Sequence, residues 1–432
     1  MLKTIHLRNL IGLLIISVLL LPPLLPTLSL PTTNKIVMEV HPNGTVLMNA
    51  IFTNVTKVNK TIPLEEFKST FYMSTKGNLT YTSTELKLTM NPSVLIVIPF
   101  LSGIRNLTLL STSVEEKGRL VFALDAPNFA VLDVKGSYDK NEAFLEVKGE
   151  VWYNPLLNIT KAKATKFFKE FPSKAANVKE SVEKLTNGSV KVVELKLLSY
   201  SIGRRYFKFH IRCRLKGALK ELSTRLSEKY SNLPKGFYDE VKELSKKTGV
   251  KTLSSYTKLT FDAYEGILTL KGEAKAFNLA SFVNGLLPIY GKYLKYMAPS
   301  MKDEEINATR YFLNTVNMDV SNVSSSISVS LVNESSLLLK VEVKGILYRP
   351  TVEQVDGGFK LSSFFKAWSK LVKKPVKEVS LEIVGISEGG KSVQIRLPKE
   401  GIPQPSYVSD VKVVWPILDF RGLENVIFVV KG

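Results

Sequence analysis

From residue 35 onward, apolar and polar positions alternate over long stretches. That is the period of a half-buried strand, because successive strand side chains leave opposite faces. KIVMEVHPNGTVLMNAIF reads as two strands joined at Pro42-Asn43-Gly44, a strong short hairpin signal. Further strands are expected over 79–90, 94–99, 107–113, 119–124 and 129–134. The clearest alternation is YFKFHIRCRLKG, Tyr206 to Gly217. Phe207, Phe209, Ile211, Cys213 and Leu215 take one face, and Lys208, His210, Arg212, Arg214 and Lys216 the other.

A phrase recurs in these strands: Val134-Lys135-Gly136, Val147-Lys148-Gly149, Leu215-Lys216-Gly217, Leu270-Lys271-Gly272 and Val343-Lys344-Gly345. Each glycine falls in phase with the apolar positions, which predicts a bulge or a close approach by another backbone. The spacing is too uneven for a solenoid. Between the later strands the period changes to that of helices, over 173–186, 218–230, 237–248 and 279–297, the last with Pro288 inside it. LSSFFKAWSKLVKK sets Phe364, Trp368 and Leu371 on one face between cations; it reads as a core-facing helix, with a membrane-interface helix as the alternative.

The expected fold is therefore α+β: long antiparallel β-hairpins with amphipathic helices covering one sheet face, in ββα-like units, preceded by a β-rich N-terminal region. The expected divisions are a signal peptide or anchor over 1–29, a β-rich and sequon-rich region over 30–140, a basic ββα-like region over 141–400 and a β extension over 401–432.

The N-terminus points to export. Lys3 and Arg8 precede an apolar run from Leu10 to Leu21, followed by Pro22, Pro23 and Pro26. The run is shorter than the roughly 20 residues a spanning helix needs. Cleavage near Thr27 or Ser29 is expected, and an uncleaved anchor is the alternative. Ten N-x-[ST] sequons agree with an exterior location, at Asn43, Asn54, Asn59, Asn78, Asn106, Asn158, Asn187, Asn307, Asn322 and Asn333. Chance placement would give roughly four. One cysteine cannot form an internal disulfide, so a core must stabilise the chain. Cys213 itself reads as a small buried hydrophobe. With 3 His and 1 Cys, the composition suits a heat-adapted organism and resembles that of archaeal envelope proteins.

No catalytic signature emerges: G-x-S-x-G, H-E-x-x-H, C-x-x-C, a Walker loop and G-x-G-x-x-G are all missing. His210 is a weak candidate base without an acid near it in sequence. Glu65-Glu66, Glu115-Glu116 and Asp303-Glu304-Glu305 are acidic clusters, and the last reads as the charged start of a helix. No cofactor and no metal are expected, and catalysis is unsupported. Charge is more telling: of the net +20, residues 151–301 hold 28 cations against 12 anions.

These features predict an exported, glycosylated cell-surface or secreted protein with a structural or binding role. Lys208, Arg212, Arg214 and Lys216 are its candidate contacts to an anionic membrane or envelope polymer. The alternatives are an extracellular carrier with an apolar ligand in a sheet-helix cavity, and an extracellular hydrolase. Nucleic acid is disfavoured because aromatics do not interleave with the cations.

Overall fold

The computed structural model describes residues 34–57, 64–91, 103–115, 117–219, 221, 222, 225, 233–317 and 322–432. The expected leader, the strand over 94–99, Asn59 and most of the helix over 218–230 lie outside the described residues.

The fold is mixed α and β, dominated by one 18-stranded sheet. Sixteen strands carry its architecture. Eight come first: β1 (Lys35–Val40), β2 (Val46–Lys57), β3 (Leu64–Lys76), β4 (Leu79–Met90), β5 (Asn106–Val114), β6 (Lys117–Ala126), β7 (Ala130–Tyr138) and β8 (Glu142–Trp152). Then follow β9 (Val190–Ile202), β10 (Tyr206–Gly217), β11 (Lys251–Asp262), β12 (Ile267–Phe277), β13 (Asn322–Asn333), β14 (Ser336–Tyr348), β15 (Ser380–Gly385) and β16 (Lys412–Trp415). Helices lead into the later hairpins: α1 (Lys161–Lys169) and α2 (Phe171–Leu185) before β9, α3 (Lys235–Thr248) before β11, and α4 (Leu279–Met297) and α5 (Asp303–Thr315) before β13. Helix α6 (Ser362–Leu371) precedes β15.

The order across the sheet is not the order along the chain. It runs β9-β10-β8-β7-β6-β5-β11-β12-β4-β3-β13-β14-β2-β1-β15-β16. Every neighbouring pair is antiparallel except β1 with β15. The early hairpins thus leave two gaps. β11–β12 fills the one between β5 and β4, β13–β14 fills the one between β3 and β2, and β9–β10 extends the sheet beyond β8. At the β9 edge, Val193 and Leu198 fall out of register with β10 as bulges and are exposed. Such bulges twist an edge away from further pairing.

The main core joins α4, α5 and α6 to β1, β2, β14, β15 and β16 and to parts of β3, β12 and β13. Its densest region is aromatic: Phe364 is 0 % exposed and meets Phe312, Tyr348 and Trp368 edge-on or tilted at 5.6 to 6.4 Å between centroids. Trp368 stacks on Phe420 at 5.2 Å, so α6 is a core helix and its lysines face water. Trp415 is also fully buried, and its indole N–H donates to the Pro403 carbonyl at 2.9 Å. A second sheet of five short strands, built from 353–360, 387–396 and 427–431, packs here through Phe359 and Phe428. A smaller cluster, with no helical member, gathers Ile104, Leu124, Ala126, Ala130 and Phe261. Asp303 to Glu305 form the first turn of α5, and the Glu305 carboxylate accepts from the Lys302 N–H at 3.2 Å.

Candidate functional site

Directly opposed residues of an antiparallel pair point to the same face, so the registers can be read across the sheet as rows. One row runs Ile211-Val147-Val134-Phe122-Leu109-Leu259-Leu270-Leu86, one residue from each of β10, β8, β7, β6, β5, β11, β12 and β4. The adjoining row carries Phe209, Leu132, Leu124, Leu107, Phe261, Leu268 and Leu88, broken only by Gly149. Farther along, these rows reach Phe52 and Val341, and they belong to the face that the main core uses. The opposite face mixes charged residues with apolar ones such as Phe144, Val121 and Leu110, and it carries ion pairs such as Lys271–Glu85 at 2.9 Å and Lys148–Glu146 at 3.4 Å.

All eight members of the first row are only half-buried, and seven of them belong to neither core cluster. Eight strands at about 4.8 Å separation make a strip about 34 Å long. Leu124 and Phe261 of the adjoining row are buried in the smaller cluster, so the open strip is the first row, with an area on the order of 200 Å².

Among the described residues, one of the recurring glycines borders open space. A Cβ at Gly272, in the next row beside Leu270, would have nothing within 4 Å. A Cβ at Gly136 would first meet Leu145, the Phe144 carbonyl and Leu120, all strand neighbours in the sheet. The repeated tripeptide is thus not one device. Gly217 (φ +123°) and Gly345 (φ +77°) hold left-handed backbone against the carbonyls of Ser189 and Asn322, whereas Gly149 lies under the ring of Phe209. The signal available in the sequence was the alternation itself; what no single strand could reveal is that eight such strands align their apolar residues with no helix above them in either core cluster.

The cation face of β10 meets a complementary ladder on β8. Lys208 pairs with Glu150 at 2.8 Å, Arg212 approaches Glu146 at 3.9 Å and Arg214 pairs with Glu142. Lys216 has no carboxylate partner among the described residues. His210 does have an acid, although a distant one in sequence: its Nε2 lies 2.7 Å from Glu146. That contact, with Lys148, holds the Glu146 carboxyl below its ordinary range. Of the β10 residues expected inside, Phe207, Phe209, Ile211, Cys213 and Leu215 are half-buried rather than buried. Burial, with Glu194 nearby, pushes the Cys213 thiol up.

Eight of the sequon asparagines are exposed: Asn43, Asn78, Asn106, Asn158, Asn187, Asn307, Asn322 and Asn333. Asn54 is half-buried on β2. Among the described residues no group of three His, Cys, Asp or Glu side chains converges as a metal would require, and no helix is long and apolar enough to cross a membrane. No protein-family model matches the chain, and no curated protein matches it either.

Proposed function

We propose that the protein is an exported carrier that holds an apolar ligand, such as one or more long acyl chains, along the strip between β10 and β4. In support of this reading, α4 to α6 pack into the main core, α1 packs on β9 and β10 through Phe168, and among the described residues no helix of either core cluster packs on the middle of the strip. The observation that carries this reading is the row from Ile211 to Leu86, half-buried across eight neighbouring strands of one sheet. Each methylene that such a surface removes from water contributes about 0.8 kcal/mol, so a single long chain supplies ample affinity without any charged anchor. The leader-like N-terminus and the exposed sequons support an extracellular or cell-surface address. The reading assigns no catalytic residue, metal or cofactor.

Solvent extraction of the natively purified protein, followed by mass spectrometry, should yield stoichiometric long-chain lipid. An environment-sensitive fatty-acid probe should bind the delipidated protein and be displaced by that lipid. Leu259→Lys with Leu270→Lys puts two charges in the middle of the strip and should abolish probe binding while the protein stays folded. Probe binding unchanged in the double variant would refute the site. A cytosolic product with an intact N-terminus and no glycan mass would refute the address.

A further inference from the structure

We propose that the α1 end of the sheet is a docking surface for an anionic lipid bilayer. Helix α1, KAKATKFFK, has four lysines and no acidic residue. Ala164 and Phe168 are buried and fix it to the sheet; Phe168 stacks on Tyr200 of β9 at 4.7 Å and meets Phe207 of β10 edge-on at 5.5 Å. The other side of the helix is what water sees. Phe167 remains 39 % exposed, with Lys163 one turn before it and the Lys174 ammonium 5.1 Å from its ring. Tyr200 and Leu157, the latter in the turn leading into α1, are exposed as well.

Charge distinguishes this surface from the β10 ladder. Glu170 is approached by both Lys166 at 3.8 Å and Lys174 at 3.4 Å, and Lys161, Lys163 and Lys169 have no carboxylate partner among the described residues. An ordinary solvated helix face intersperses its charges and hides its rings, as the Glu180–Lys184 pair of α2 does on a face without aromatics. Unmatched lysines around exposed aromatic rings are instead the chemistry of the bilayer interface, where cations meet anionic headgroups and rings enter the headgroup layer. The surface also adjoins the strip: Phe168 touches Phe207, and Phe207 lies 6.2 Å from Phe209, which borders Ile211. A carrier docked by α1 would bring one end of its strip to the membrane. The docking proposal rests on different residues from the strip, so each can fail alone.

The sequon at Asn158 sharpens the matter. Asn158 is exposed in the same turn as Leu157, and the hydroxyl of its sequon threonine, Thr160, caps α1 by accepting from the Lys163 N–H at 3.3 Å. A glycan there would stand between α1 and a bilayer, so docking requires Asn158 to be unmodified.

The test is vesicle co-sedimentation of a chain beginning at residue 31, which keeps every member of both core clusters. Phosphatidylcholine vesicles are compared with the same vesicles containing phosphatidylglycerol, at low and high salt. Binding should require phosphatidylglycerol and fall with salt. Lys161, Lys163 and Lys169 changed together to Ser should weaken it about hundredfold. Phe167→Ser should weaken it while leaving the salt dependence intact, and Lys208, Arg212, Arg214 and Lys216 changed to Ser should leave it unaltered. Loss with the β10 variant but not with the α1 variant would overturn the proposal, as would equal binding to neutral vesicles. Glycan mass on Asn158 of the native protein, or capture by a soluble acidic polysaccharide as strong as by vesicles, would overturn it too.

Discussion

Gly272 and Gly345 close two variants of one phrase, Leu-Lys-Gly and Val-Lys-Gly, and their substitution by valine should have opposite outcomes. At Gly272 the backbone has no positive φ and a Cβ meets nothing within 4 Å. Glycine in a strand interior costs about 0.5 to 1 kcal/mol in chain entropy, and valine suits a pleated, half-buried surface by up to about 1 kcal/mol. Gly272→Val should therefore be neutral or stabilising by about 1 kcal/mol. At Gly345, φ is +77° and the Cβ is driven into the Asn322 carbonyl oxygen, with the carbonyl carbon at 3.2 Å and Val323 Cα at 3.4 Å behind it. A β-branched residue in left-handed backbone costs about 1 to 2 kcal/mol before any clash, and β13 and β14 must part to admit it. Gly345→Val should thus cost more than about 3 kcal/mol. The assay is calorimetric melting of both variants and the parent at one scan rate, where 1 kcal/mol corresponds to about 2 °C for a chain of this size. A Gly272→Val protein that melts as low as Gly345→Val would mean that another layer covers β12, and the carrier site would lose its basis.

The Tyr348 hydroxyl is fully buried without a hydrogen-bond partner among the described residues, and burial pushes its pKa far above the usual tyrosine range; Tyr348→Phe should stabilise by about 1 kcal/mol, and a melting point lowered by several degrees would refute this. Phe364→Ala empties the centre of the aromatic core and should cost about 3 to 5 kcal/mol, whereas Leu259→Ser on the strip should cost less than half as much; equal losses in denaturant titrations would show that the strip is core. Cys213 is half-buried with its thiol raised, so at neutral pH it stays protonated; its alkylation rate in the folded protein should rise about tenfold per pH unit through pH 9, and a plateau at or below pH 8 would contradict the assignment.

Much of the strand content was legible because alternation is local: the hairpin at Asn43-Gly44 and the faces of Tyr206–Gly217 follow from side-chain period alone. The helices α2, α3, α4 and α6 were legible for the same reason. What a one-dimensional pattern cannot encode is lateral order. Nothing in Glu142, Glu146 and Glu150 announces that they will stand beside the cations of a strand some 60 residues later, which is why the ladder read as free positive charge. Nor does the Lys-Gly step that Gly272 shares with Gly345 reveal that, among the described residues, a Cβ at one meets nothing within 4 Å and at the other a carbonyl. The strip, likewise, is a property of strands that neighbour one another in the sheet but lie far apart in the sequence.

The interleaved order of the hairpins has a kinetic side. As the chain emerges from synthesis, β2, β3, β4 and β5 are made first, yet their partners on one edge are residues far downstream: Tyr72 bonds to Asn322 across 250 positions, and Gly345 to Asn49 across 296. Closing a loop of that length costs about 3.5 to 4 kcal/mol more than closing a hairpin loop of about four residues, and topologies dominated by such distant pairings fold slowly. Until the later units arrive, the early strands expose unpaired edges of the kind that invite association with other chains. The helix–hairpin units then act as wedges that complete the sheet in two places at once. A chain that ends before residue 322 lacks β13 and β14 and leaves β2 and β3 without a strand between them, so loss of the last quarter should be felt in the first.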